Sequence, residues 1–261
     1  MQALTWPLPV LLAGLLVSLG AGMVRGFAGF GYSALTVAAL SVFVTPAAVI
    51  PAVLALEVLA SLSMWRSAAR DADPGWLRSL LVGNLVFIPI GITLLAVLPP
   101  ELLRPLVSGA LLLAAVGLQL AGSHTLAPTR ALRATAGVAS GLLNGVAASG
   151  GVAAAMLMAA SRLPPAVMRA TMVSFLLYAC VYALFCAAIV PQGAAAATAL
   201  ISADTMRWAL LLAPTMLAGI WIGRRSFSGA DPAHYRGFVL KLLIVISSLG
   251  VLRAAVSLWA G

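Results

Sequence analysis

Two glycine-rich runs carry the residue types that could bind an anion inside an otherwise apolar chain. The first run, RGFAGFGYS, covers residues 25–33, and the second, NGVAASGG, covers residues 144–151. Glycine costs about 0.5 to 1 kcal/mol in a helix interior, so each cluster predicts an interrupted helix. An interruption leaves backbone N–H groups at the start of the following helix, and these groups favour a bound anion.

Side chains in both runs add hydrogen-bond donors to these predicted anion sites. Arg25 would supply a formal positive charge, while Ser33, Asn144 and Ser149 would donate neutral hydrogen bonds. We therefore predict one substrate site with residues from both runs. Its members are Arg25, Gly26, Phe27, Gly29, Phe30, Gly31, Ser33, Asn144, Gly145, Ser149, Gly150 and Gly151.

Helix packing is the alternative explanation for some of these glycines. Gly22 and Gly26, like Gly141 and Gly145, fit the small-x-x-x-small pattern that lets membrane helices approach closely without any ligand. Arg25 has an alternative too, because an arginine near a helix end can extend to the cytoplasmic headgroups.

Glu57 is an isolated acid in the apolar stretch AAVIPAVLALEVLASLSMW, residues 47–65. An ionised carboxylate there costs about 3 kcal/mol on insertion scales, so Glu57 should face the protein interior. A buried carboxyl group of this kind could carry a proton in a coupled transport cycle. The alternatives are a permanently protonated Glu57 and a Glu57 paired with Arg25 or Arg169.

The motifs of common enzymes and metal sites do not occur in the sequence. It has no histidine pair at metal spacing, no Cys-x-x-Cys, no paired acids within one span and no Walker-type phosphate loop. A helix would separate Cys180 and Cys186 by about 9 Å along its axis, which is too far for a disulfide. We predict no catalytic residues, no metal and no cofactor.

Composition places the chain in a membrane. It is 63% hydrophobic and 8% charged, with a mean hydropathy of +1.12, and its apolar stretches approach the ~20 residues that cross a bilayer. No basic residue precedes Arg25, so the first stretch is predicted to be a true span and not a cleavable signal peptide. We predict an all-α polytopic protein of the plasma membrane, of the bacterial inner-membrane type, with about eight to ten segments. The segments are 8–26, 27–44, 47–65, 77–98, 105–121, 134–146, 147–161, 166–190, 208–223 and 238–258.

The net charge of +9 indicates topology and not a nucleic-acid partner. Basic residues of membrane proteins collect in cytoplasmic loops. With the N-terminus outside, only Arg104, Arg207 and Arg253 of the fifteen lysines and arginines fall on the outer side. Both termini are therefore predicted to lie outside.

A weak internal repeat relates the two runs at an offset of 119 residues. Gly22, Gly26, Gly31 and Pro46 correspond to Gly141, Gly145, Gly150 and Pro165 without a gap. We predict a first repeat over 1–122, a linker over 123–133 and a second repeat over 134–261. Five segments in each half would invert the second repeat relative to the first, as in many secondary transporters. The short segments 27–44 and 147–161 could be full spans or arms of re-entrant hairpins.

The chain resembles the TauE/SafE family of sulfite-exporter-like membrane transporters. The resemblance rests on GFAGFG after the first span, TPAAVIPAVLALEVLASL in the next segment, and SGLLNGVAASGG followed by PPAVMRATM in the second half. It implies a carrier of small sulfur-containing anions such as sulfite, sulfonates and sulfoacetate-like compounds. The glycine-rich stretches of the family would correspond to Gly26, Gly29 and Gly31 and to Gly145, Gly150 and Gly151. Ala28 and Phe30 stand between the glycines of the first run, unlike the more glycine-dense versions, which leaves substrate size open.

Residues and resemblance together predict a secondary active transporter of small anions that works by alternating access at a midplane site between the two breaks. Its partners would be the bilayer, the anion and, through Glu57, a proton, with a homodimer left open. The main alternative is a passive anion channel. An intramembrane enzyme and a membrane assembly protein without transport activity are the remaining ones.

Overall fold

The chain is almost entirely helical in the part that a computed structural model describes. The described residues are 8–40, 43, 46–68, 70–98, 102, 127–161, 163–189, 203–227, 241, 245 and 248. Within them there is no strand, which confirms the predicted all-α class. The helices are α1 (Leu8–Ala28), α2 (Tyr32–Leu40), α3 (Pro46–Ala68), α4 (Pro74–Val97), α5 (Arg130–Ala147), α6 (Gly150–Ala160), α7 (Pro165–Ile189) and α8 (Ala203–Phe227).

Five of these helices are long and apolar enough to cross a membrane, namely α1, α3, α4, α7 and α8. They confirm the predicted polytopic membrane protein. The helices α2 and α6 have only 9 and 11 residues, fewer than the ~20 that span a bilayer. The predicted segments 105–121 and most of 238–258, with residues 123–126 of the linker, lie outside the described residues.

Helix α5 begins at Arg130, inside the region predicted to be the linker. The physical reason is a cap, because the Thr129 side chain accepts a hydrogen bond from the Leu132 N–H at 3.2 Å. Asp73 caps α4 in the same way, through a 2.7 Å hydrogen bond from the Trp76 N–H.

Glycine contacts hold together two helix pairs, α1 with α8 and α4 with α5. A Cβ atom on Gly22 would lie 2.5 Å from the Met216 carbonyl oxygen of α8. A Cβ atom on Gly141 would lie 2.9 Å from the Gly83 carbonyl oxygen of α4. The small-x-x-x-small alternative therefore explains both glycines.

The same packing pattern occurs in both predicted halves. The first helix of each half, α1 or α5, packs on the fourth helix of the other half, α8 or α4. Helices α3 and α7, which occupy corresponding places in the repeat, pack on each other. This exchange of partners supports the duplication, and inversion of the second half stays a prediction.

Candidate anion-binding site at the two helix breaks

The helix is interrupted in both glycine-rich runs, as the sequence predicts. The first break separates α1 from α2, and the second separates α5 from α6. At the first, the Gly29 N–H donates to the Arg25 carbonyl at 2.9 Å; at the second, the Ala148 N–H donates to the Asn144 carbonyl at 3.0 Å. Gly29 has φ +84° and Ala148 has φ +51°, so both helices end in a left-handed residue. These residues correspond at the repeat offset of 119.

The two breaks lie against each other in the protein interior. A Cβ atom on Gly151, at the start of α6, would be 3.5 Å from the Cβ of Phe30 in the first break. It would also be 3.3 Å from the methyl groups of Leu176 on α7. Phe30, Gly151 and Leu176 are all buried, so the two runs form parts of one buried region.

An ion pair occupies the first break. Arg25 Nε donates to Glu57 Oε2 at 2.9 Å, and both side chains are fully buried. The other two guanidinium nitrogens also have partners, with Nη2 donating to Ser61 Oγ at 2.6 Å and Nη1 donating to the Gly29 carbonyl. Of the alternatives for Glu57, pairing with Arg25 is the one that the structure contains.

Glu57 also contacts the start of α2. Its Oε1 accepts a hydrogen bond from the Ser33 N–H at 3.1 Å. A carboxylate is favoured there because the N-terminus of a helix carries unpaired N–H groups and the positive end of the helix dipole. The protein's own carboxylate thus lies where the sequence predicted a bound anion, and substrate binding by Arg25 and Ser33 stays a prediction.

The second break has a corresponding helix end, at Ala148, without the ion pair. At the offset of 119, Asn144 corresponds to Arg25, Leu176 to Glu57 and Cys180 to Ser61. Asn144 is fully buried, and neither its Nδ2 nor its Oδ1 has a hydrogen bond of normal geometry among the described residues, although the Cys180 thiol lies near the amide. The amide lies beside Gly150, because a Cβ on that glycine would be 3.2 Å from Asn144 Cγ.

Ser149, between α5 and α6, is buried, and its hydroxyl donates to the Ala147 carbonyl at 2.9 Å. Gly31 precedes α2 with φ +99°, a conformation that favours glycine. Both residues therefore help to shape the breaks, and contact with a substrate stays a prediction for each of them.

Three other predicted site residues lie at helix interfaces. A Cβ on Gly26 would collide with the Ile220 carbonyl of α8, and one on Gly145 would lie 2.5 Å from the Ile88 carbonyl of α4. The Phe27 ring packs edge-on against Phe227, with ring centroids 6.0 Å apart. Close packing accounts for both glycines, and a role of these three residues in binding stays a prediction.

The first break contains two further polar side chains, Ser61 and Arg169, that are not among the predicted site residues. Ser61 lies one helical turn after Glu57, a spacing that could have identified it. Arg169 donates to the Gly26 carbonyl from Nη2 at 2.8 Å and from Nε at 3.2 Å. No sequence signal connects two residues that are 143 positions apart.

Comparison with models of known protein families gives a match over most of the chain. A family model described as Sulfite exporter TauE/SafE matches residues 14–249, which include both breaks and Glu57. No curated protein and no solved structure gives a significant match to the chain.

Proposed function

The chain belongs to the TauE/SafE sulfite exporter family, and on that premise we propose that it is a secondary active transporter of small sulfur-containing anions. The family is one of membrane transporters of sulfur anions and not of enzymes. The five apolar helices agree with a multi-pass membrane protein. Sulfite, sulfonates and sulfoacetate-like compounds are the substrates that we propose.

The contact between the two helix breaks is the observation that carries the proposal. Phe30 of the first break lies against Gly151 of the second, so the N-terminal ends of α2 and α6 belong to one buried region. Backbone N–H groups at a helix start are good donors to the oxygens of a sulfite or sulfonate group. A buried place with such donors suits an anion that must be held away from water.

Alternating access is the mechanism that we propose for this region. Two inverted halves would rearrange around the breaks and expose the anion to one side of the membrane at a time, from a site near the midplane. Both termini would lie outside the plasma membrane. A reporter enzyme active only in the cytoplasm should be inactive when fused to the C-terminus, whereas an active fusion would contradict the inverted arrangement.

We further propose that Glu57 couples transport to a proton. The Arg25 guanidinium lies 2.9 Å from the carboxylate in this structure, so protonation would require the two groups to separate during the cycle. Glu57→Gln should flatten the pH dependence of transport. A variant whose transport keeps the original pH dependence would exclude Glu57 as the proton carrier.

Counterflow in proteoliposomes tests the carrier directly. Vesicles loaded with unlabelled sulfite should take up labelled sulfite faster than unloaded vesicles, and the rate should saturate with concentration. A passive channel is the second candidate, because the breaks could also form a selectivity constriction. Single-channel conductance without counterflow would overturn the carrier in favour of that channel.

A further inference from the structure

We propose that the second break alone binds the transported anion and that it prefers monovalent anions, hydrogen sulfite or an organosulfonate, to dianions such as sulfate. The binding groups are the Asn144 amide and the backbone N–H groups of Gly150 and Gly151, together named the second-break seat. The inference rests on the proposed transport function and narrows its substrates, because sulfoacetate-like compounds carry both a sulfonate and a carboxylate and should bind more weakly than monovalent anions.

Unpartnered buried donors are the first argument. Asn144 is fully buried, neither polar atom of its amide has a hydrogen bond of normal geometry among the described residues, and the amide lies against Gly150. The Cys180 thiol of α7 lies near the amide but is only a weak hydrogen-bonding group. Gly150 and Gly151 open an 11-residue helix, whose first N–H groups have no acceptor within the helix. Buried polar groups normally find partners, so these donors indicate a ligand.

The contrast with the first break is the second argument. There, Glu57 accepts from the Ser33 N–H at 3.1 Å and pairs with Arg25, so the carboxylate already occupies the start of α2. At the position corresponding to Glu57, the second half has Leu176, whose methyl groups lie 3.3 Å from the place of a Cβ on Gly151. Because Leu176 has no charge, it does not compete with an anion from solution for the N–H groups at the start of α6.

The charge preference follows from the donors themselves. The second-break seat has neutral donors and the positive end of one helix dipole, equivalent to about half an elementary charge. The charge of Arg25 is already balanced by Glu57. One negative charge suits this site, whereas a second would be buried without compensation.

Binding of three anions to the purified full-length protein in nanodiscs tests the preference. Methanesulfonate is monovalent at every pH used, sulfate is divalent, and sulfite passes from monovalent to divalent near neutral pH. Sulfate should bind at least about tenfold more weakly than methanesulfonate, since a second buried charge opposes binding. The affinity for sulfite should rise on acidification in step with the hydrogen sulfite fraction.

Methanesulfonate is the control for titration of the protein itself. Among the described residues, the ionisable groups around the breaks are Arg25 of α1, Tyr32 of α2, Glu57 of α3, and Arg169 and Cys180 of α7. Any effect of these groups should change the affinities for methanesulfonate and sulfite alike. Sulfate that binds as tightly as methanesulfonate would overturn the charge preference alone, whereas failure of all three anions to bind would overturn the transport proposal too.

Variants at position 176 test the location. Leu176→Glu places a carboxylate where the first half has Glu57 and should weaken methanesulfonate binding about 100-fold, while the neutral Leu176→Gln should stay within about tenfold of the parent. Asn144→Leu, which adds no charge, should weaken binding about tenfold or more through loss of a donor to the anion. Unchanged affinity in a folded Asn144→Leu variant would overturn the second-break seat, even if Leu176→Glu does not fold.

Discussion

The first and second helix breaks end the preceding helix in the same way, but one contains an ion pair and the other a neutral side chain. Each follows a helix closed by a corresponding hydrogen bond, 2.9 Å from Gly29 to Arg25 and 3.0 Å from Ala148 to Asn144. The first break then contains the buried Arg25–Glu57 ion pair, whereas the second contains the neutral Asn144, whose amide has no hydrogen bond of normal geometry among the described residues.

The comparison shows which features are shared by the two repeats and which differ between them. The repeat keeps the positions where helices end and where glycines allow close packing, while side chains around the breaks change from ionic to neutral. We interpret the first break as the part that is stabilised by its own ion pair and the second as the part that is left for the substrate. The following predictions test that division.

Removal of the counter-charge in the first break should have the largest effect. Glu57→Leu leaves Arg25 buried and unpaired, and should lower the free energy of unfolding by about 3 to 5 kcal/mol. Thermal and denaturant unfolding in detergent would measure the change. The double variant Arg25→Asn/Glu57→Leu copies the second break and should recover most of the loss; an equally unstable double variant would contradict the ion-pair account.

A methyl group added at a tightly packed glycine should lower stability by a similar amount in either half of the protein. Gly26→Ala forces a methyl group against the Ile220 carbonyl, and Gly145→Ala forces one against Ile88, so each should cost about 1 to 3 kcal/mol of stability. Gly20→Ala is the control on α1, because nothing lies within 4 Å of the added methyl group. A loss of stability in the Gly20→Ala control, or no loss in Gly26→Ala, would contradict the view that these glycines are needed for close helix packing.

Substitutions at the two left-handed residues, Gly29 and Ala148, should cause the smallest changes in stability, and these two changes should differ. Gly29→Ala introduces a side chain at φ +84° that would meet Arg169, and should cost about 1 to 2 kcal/mol. Ala148→Gly relieves a left-handed alanine but removes a buried methyl group, so stability should change by less than about 1 kcal/mol. An equal loss of stability in Gly29→Ala and Ala148→Gly would contradict the account, because glycine would then bring no relief at Ala148 and the two helices would not end in the same conformation.

The resemblance of several motifs predicted the family, whereas composition and glycine clusters predicted the class and the places where helices break. They did so because hydropathy and the cost of glycine in a helix act locally along the chain. The contact of Arg169 with the Gly26 carbonyl depends on how α7 approaches α1, which no local pattern encodes. Pairing of Glu57 with Arg25 was one of several alternatives, because the sequence does not specify how α1 and α3 are rotated towards each other.

Ala148 shows a different limit of sequence interpretation. Alanine rarely adopts positive φ, so composition alone does not mark it as the end of α5. The repeat offset could have identified it through its correspondence to Gly29, whereas the start of α5 at Arg130 depended on recognising the Thr129 cap. Aligned repeats therefore contain conformational information that residue types alone do not.

A structure of the protein with a bound sulfonate tests the division between the two breaks most directly. A bromoalkanesulfonate marks its own position through the anomalous scattering of bromine, in a crystal grown from lipid. We expect the sulfonate oxygens within hydrogen-bond distance of the Asn144 amide and the Gly150 and Gly151 N–H groups, with the Arg25–Glu57 pair intact. A sulfonate bound to Arg25 with Glu57 displaced would contradict the account.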